Sequence, residues 1–229
     1  MIKKVFKVLL VLIAILIIAF LGLKLYFDVE IPSGIKGVKA TALAIKIQDA
    51  INADALSDMD SISWTFRETN HYMWRPSQTS VDVRWDDKLV QLQTEKPLIS
   101  KAFENGTELT GDEREDAIEY AQSNFNNDSF WLIAPFKIRD VGTELEYIAE
   151  NELLVRYKSG GTTPGDVYVW QVDENFLPKS FKMWVDIIPL DGIQANWNDW
   201  YETSAGFMLP KSRDIYGIEI PLTDVVVYN

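Results

Sequence analysis

The chain of 229 residues has no cysteine and a single histidine, His71. The missing cysteine excludes disulfides, a thiolate nucleophile and a lipid-modified N-terminal cysteine. One histidine without cysteine cannot fill a zinc shell. Any Ser-His-acid triad would have to use His71, which lies beside Tyr72 near a hairpin and not in an H-E-x-x-H helix. Basic residues are also scarce, 22 Lys and Arg against 34 Asp and Glu, for a formal net charge of −12. Four lysines and two acids fall in the first 34 residues, so the rest of the chain carries −14. An acidic body disfavours nucleic acid and anionic headgroups as partners. Gly160-Gly161 with Gly165 is not G-x-G-x-x-G and opens no helix. Asn126-Asn127-Asp128 and Asp173-Glu174-Asn175 lack the spacing of a calcium loop and read as turns. Carboxylates are plentiful, but none forms a distinctive glycosidase pair. No cofactor is expected, and the chain reads as non-enzymatic, with a glycan hydrolase as the enzymatic alternative.

What the chain does have is one long apolar run. Val8–Leu23 is unbroken, flanked by Lys7 and Lys24 and extended by Phe6 and Leu25–Phe27. A membrane-spanning helix needs about 20 apolar residues, and flanking lysines reach the headgroups. A cleaved signal peptide has a shorter core of about 7–15 residues and a small-x-small site. Phe20-Leu21-Gly22 is a poor match to such a site. The expectation is an uncleaved anchor over 1–27, a short stalk over 28–37 and an exported domain over 38–229. Lysines before the run and acids after it predict a cytoplasmic N-terminus. The protein is then a single-pass inner-membrane protein with its body on the periplasmic side.

Ile31-Pro32-Ser33-Gly34 punctuates the end of the anchor. Val38 to about Ala55 has helical spacing with frequent Ala. Ile62, Trp64 and Phe66 alternate with polar residues, as do Val81, Val83 and Trp85, the period-2 signature of half-buried strands. Asp86-Asp87 and Asn105-Gly106 are hairpin signals. A second helix is predicted from Gly111, with acids at its positive end and Asn126-Asn127 closing it. Phe130–Phe136 is apolar on both faces. Further strands follow to Tyr228, broken by turns at 160–165, 173–175 and 204–206 and by Pro221. The predicted fold is α+β: a transmembrane helix, then a strongly curved antiparallel sheet, an incomplete barrel of about ten strands, with two helices packed on it.

Eight Trp, nine Tyr and eleven Phe are the unusual feature of this composition. They can fill a bulky core or line a concave sheet that holds an apolar ligand. The candidate ligand-binding residues are Trp64, Phe66, Trp85, Trp131 and Trp170.

Trp74-Arg75-Pro76 followed by Val81–Trp85 resembles a motif of the LolA-like carriers of outer-membrane lipoproteins. Asn175-Phe176-Leu177-Pro178 at a hairpin turn is similar too, as is Trp200-Tyr201 followed by Gly206–Pro210. The resemblance covers about Val38 to Tyr228. It implies a bent antiparallel sheet with helices over its hollow, binding lipid or another apolar ligand. It further implies that Arg75 lies at the mouth and holds a lidding helix. The soluble carriers have no anchor, and the family's tethered member uses a lipidated cysteine that this chain lacks. An envelope docking or regulatory domain with a filled core and a protein partner is the alternative reading.

Overall fold

The computed structural model describes residues 2–27, 29–160 and 163–229. Asp28 of the stalk and Gly161–Thr162 of the 160–165 turn therefore lie outside the described residues. Helix α1 (Ile2–Phe27) is strongly apolar, and none of the described residues covers its Lys4–Lys24 stretch, which is long and apolar enough to cross a membrane. Helix α2 (Val38–Ala50) buries Ala40, Leu43, Ala44 and Ile47, a stripe at helical spacing. It stops short of the expected Ala55 because Asn52 takes a left-handed conformation, φ 50°. The Asn52 side chain donates to the Gly206 carbonyl at 2.9 Å, and a 3₁₀ turn follows over Ala53–Asp58.

Two antiparallel sheets of seven strands each follow. The first is a meander of β1 (Ser61–Phe66), β2 (Asn70–Arg75), β3 (Ser80–Trp85), β4 (Lys88–Gln93), β5 (Lys101–Glu104) and β6 (Thr107–Glu108). The second runs through β7 (Thr143–Ala149), β8 (Glu152–Tyr157), β9 (Val167–Val172), β10 (Pro178–Trp184), β11 (Ile193–Glu202), β12 (Met208–Ile215) and β13 (Ile218–Glu219). The last strand, β14 (Leu222–Tyr228), returns to pair with β1. Residues 218–228 stitch the two sheets together: Ile220 N–H donates to Arg213 O, and Arg67 N–H donates to Pro221 O. Pro221, with no N–H to give, sits where the chain changes partner.

The strands outnumber the ten or so expected. β2, with sequence NHYMWR, lacks a clean alternation, yet pairs with β1 on one side and β3 on the other. β6 and β13 are only two residues long. Helix α3 (Gly111–Ile133) corrects a second expectation: it continues through Asn126-Asn127 for another six residues and passes into a 3₁₀ turn over Ala134–Lys137. Asp128 faces inward there. Its carboxyl accepts from Tyr72 OH at 2.6 Å and Asn70 Nδ2 at 3.0 Å, and Asn127 Nδ2 donates to its other oxygen. That network satisfies a polar residue on a buried helix face, so the helix need not break.

The core is divided. Under α3, the first sheet buries Trp64, Phe66, Val83 and Trp85 against Ala117, Ala121 and Phe125. The inner face of the second sheet packs Leu153, Tyr168, Trp170, Phe181 and Trp197 against α2. A third cluster, Leu154, Val167, Val169 and Trp184, lies on the opposite face of the second sheet, as the period of two requires.

Residues 29–36 are tied to the body. Trp184 Nε1 donates to Val29 O at 2.6 Å, and Ile35 exchanges both backbone hydrogen bonds with Tyr147. Lys36 pairs with Glu144, and Gly34 N–H donates to Glu146 Oε2 at 3.1 Å. Burial pushes the Glu146 carboxyl up, but the hydrogen bonds from Arg156 and Gly34 outweigh it and hold the group below the usual carboxylate range. A Cβ on Gly34 would come within 2.7 Å of Glu146 Cβ and 3.0 Å of Tyr147 O. Gly34→Val is therefore expected to lift this segment off β7, at a cost of about 1–3 kcal/mol. Hydrogen exchange at the Ile35 and Tyr147 amides should speed up markedly; unchanged protection there would show that the close approach is not needed.

Candidate ligand cavity

Strands β8, β9 and β10 turn Tyr157, Tyr168, Phe181 and Met183 to one face. The last turns of α3 lay Phe130 and Trp131 opposite them. The Phe130 ring lies 4.7 Å from Tyr168, and Trp131 lies 5.8 Å from Phe181. The rings do not fill the space between helix and sheet, and a cavity of about 400 Å³ remains. Its size is that of a small-molecule site. Val185 and Ile188 continue its apolar wall, while Asp140, Val141, Gly160, Asp166 and Ile187 also line it.

More of the wall is apolar than polar, but Asn124, Asn127, Lys137, Ser159 and Thr163 line it as well. Tyr157 OH is buried and has no hydrogen-bond partner among the described residues. Tyr168 OH donates to Asp166 Oδ2, which also accepts from Thr163 Oγ1 at 2.6 Å. Burial pushes both phenols far above the usual tyrosine range, with Asp140 adding to the effect at Tyr157 and Asp166 at Tyr168. Burial also raises the Asp166 carboxyl, despite its hydrogen bonds. The wall thus combines an aromatic face with polar side chains, among them one buried hydroxyl without a partner among the described residues. Among the described residues no three His, Asp or Glu side chains gather to hold a metal ion.

Of the residues singled out in the sequence, Trp131 lines this cavity. Trp170 is fully buried behind it, 4.9 Å from Phe181. Trp64, Phe66 and Trp85 lie in the other core: Trp64 stacks on Tyr72 at 4.7 Å, and Trp85 meets Tyr120 at 4.5 Å. Arg75 ends β2 and pairs across the hairpin with Asp82, at 3.2 Å. Its neighbour Pro76 lines a second, more open depression of about 320 Å³, bordered by Gln48, Ala53, Leu56 and Phe136.

The sequence does not mark Tyr157 or Tyr168 as ligand-binding candidates, since their strands show no contrast between faces, and it does not mark Arg213. Arg213 on β12 is 1% exposed, with Nε and Nη2 unpartnered among the described residues. It lies 5.8 Å from the Trp197 ring, its cross-strand neighbour. Burial lowers its guanidinium to about 10. Nothing in the local pattern, Lys-Ser-Arg-Asp, distinguishes this buried arginine from an exposed one.

No protein-family model matches the chain, and no curated protein does. Among solved structures, the chain is similar in fold to a DUF1329 family protein from Desulfovibrio piger, with a TM-score of 0.44 at 9% identity over 83% of this chain and 93% of that one. It is also similar to a LolA superfamily protein from Nitrosomonas europaea, with a TM-score of 0.36 at 12% identity over 84% of this chain and 95% of that one.

Proposed function

We propose that this is a membrane-anchored, exported, non-enzymatic domain that holds a lipid or another apolar ligand between its second sheet and α3. The carrying observation is the cavity of about 400 Å³ walled by Phe130, Trp131, Tyr157, Tyr168, Phe181 and Met183. The aromatic and aliphatic face of that wall is what binding an apolar molecule requires. The unpartnered Tyr157 hydroxyl supplies one donor, suited to an ester or carboxyl oxygen on the ligand. Placed on the periplasmic side of the inner membrane by α1, the domain would draw its ligand from the envelope.

The test is extraction of the purified full-length chain followed by mass spectrometry of what co-purifies. Wild type is expected to retain about one lipid-like molecule per chain. Ile188 is half-buried on the cavity wall, so Ile188→Trp should fill the space and cut retention about tenfold with little change in stability. A wild-type chain that retains nothing, and shows no displacement of a fluorescent fatty acid, would turn the reading toward a docking domain with a protein partner.

A further inference from the structure

The two ends of the second sheet differ in character. At one end the β7–β8, β9–β10 and β11–β12 turns expose Glu150, Asn151, Glu174, Asn175 and Ser204, all polar. At the other end lie the segment before β7, the β8–β9 and β10–β11 connections and the β12–β13 turn. There the exposed apolar residues include Val141 at 99%, Ile187 at 61% and, just past the turn, Ile218 at 73%, set among the exposed Arg139, Asp140, Lys158 and Asp186. Val141 and Ile187 are also cavity-lining residues. Being both lining and exposed, they mark where the cavity opens to the outside.

The chain leaves α1 at this same end. Val29 is two residues beyond Phe27, so it lies within about 7 Å of the end of that helix. It is seated against the β10–β11 connection, whose Val185, Ile187 and Ile188 line the cavity. Trp184 Nε1 grips the Val29 carbonyl, and Gly192, φ +67°, lies so close that a Cβ there would stand 2.7 Å from Val29 Cβ. The attachment is short and fixed at both Trp184 and Gly192. A membrane holding α1 would therefore meet the body at its apolar end and not at its polar one.

From this geometry we infer that the cavity mouth rests on the bilayer, with Val141 and Ile187 in the interfacial layer, and that the ligand is a membrane lipid passing laterally between leaflet and cavity. This rests on the carrier reading above and on α1 spanning the membrane. Apolar side chains at the interface gain by leaving water. A mouth sealed by lipid lets an acyl chain enter without crossing the aqueous phase.

The absence of native cysteine makes the experiment clean. Full-length Val141→Cys, Ile187→Cys, Asn175→Cys, Leu98→Cys and Lys24→Cys variants are each labelled with an environment-sensitive fluorophore in phosphatidylcholine vesicles containing a headgroup-level nitroxide quencher. Asn175 lies at the polar end. Leu98 is 88% exposed and apolar, but its carbonyl is bonded to Arg114 near the start of α3, about 24 Å along that helix from Phe130. The labels at positions 24, 141 and 187 are expected to emit as in an apolar medium and to be quenched at least threefold. Those at 175 and 98 should behave as in water. Quenching at 187 no greater than at 175 would overturn the proposal, and lipid retention in the extraction assay would then leave the carrier reading standing. An unquenched label at 24 would overturn the spanning reading and this inference with it. Ile218→Asp, at the same end but outside the cavity lining, is expected to slow lipid exchange with vesicles about tenfold while ligand retention stays unchanged.

Discussion

Asp128→Ala should be among the most destabilising single changes in the molecule, lowering unfolding free energy by about 3–5 kcal/mol. Asp128 is 2% exposed. Its removal leaves Tyr72 OH and Asn70 Nδ2 without the acceptor they share. Each abandoned buried donor costs about 1–3 kcal/mol, more than the bond itself contributes, and the lost side chain adds a small void. The effect reaches beyond one residue, because these bonds pin the second half of α3 to β2 and so position Phe130 and Trp131 at the cavity. Asp128→Asn keeps one acceptor oxygen and the side-chain volume and should lose about half as much. Urea unfolding of the two variants would decide it: equal losses would mean that shape, not acceptor capacity, holds the helix.

Asp128 also shows where the sequence was legible and where it was not. Strands with one apolar face could be read directly: Ile62, Trp64 and Phe66, or Val81, Val83 and Trp85, alternate because the other face meets water. The hairpin signals at Asp86-Asp87 and Asn105-Gly106 lie between β3 and β4 and between β5 and β6. Asn126-Asn127-Asp128 read as a turn because the acceptors and donors that make it a helix lie on β2, more than fifty residues away. The same distance hides the cavity. Trp131 was visible as an aromatic in a doubly apolar segment. That it faces Phe181, whereas Trp64 and Trp85 pack under α3, depends on which helix covers which sheet. β8, β9 and β10 bury residues on both faces, so Tyr157 and Tyr168 were not marked as inward. Ile31-Pro32-Ser33-Gly34 has the composition of a linker, and the composition does not reveal that β7 comes too close to Gly34 for a side chain.

Above about pH 10 the fold is expected to lose stability at about 2.7 kcal/mol per pH unit. Burial holds the phenols of Tyr72, Tyr157 and Tyr168 far above their ordinary value of 10.0. Below pH 10 these three groups are protonated in both states and their contribution is constant. Above it the unfolded chain releases three protons that the native state keeps, and each costs about 1.4 kcal/mol per unit. Arg213 works in the opposite direction. Its guanidinium is lowered to about 10 in the fold against 12.5 when unfolded, so between those values the unfolded state holds one proton more. Three groups against one leaves a net loss, to which Tyr201, raised by burial, adds. A domain stable by about 5–15 kcal/mol would unfold within a few pH units. Urea midpoints taken from pH 8 upward, with tyrosinate absorbance to follow ionisation, would measure the slope. Tyr157→Phe should reduce it by about 1.4 kcal/mol per unit, and Arg213→Met should increase it by the same amount. Because the Tyr157 hydroxyl has no partner among the described residues, Tyr157→Phe should also leave stability at neutral pH unchanged or slightly raised. Midpoints flat through pH 11 would show that these phenols reach water in the native state, and that the cavity wall is open where the structure has it closed.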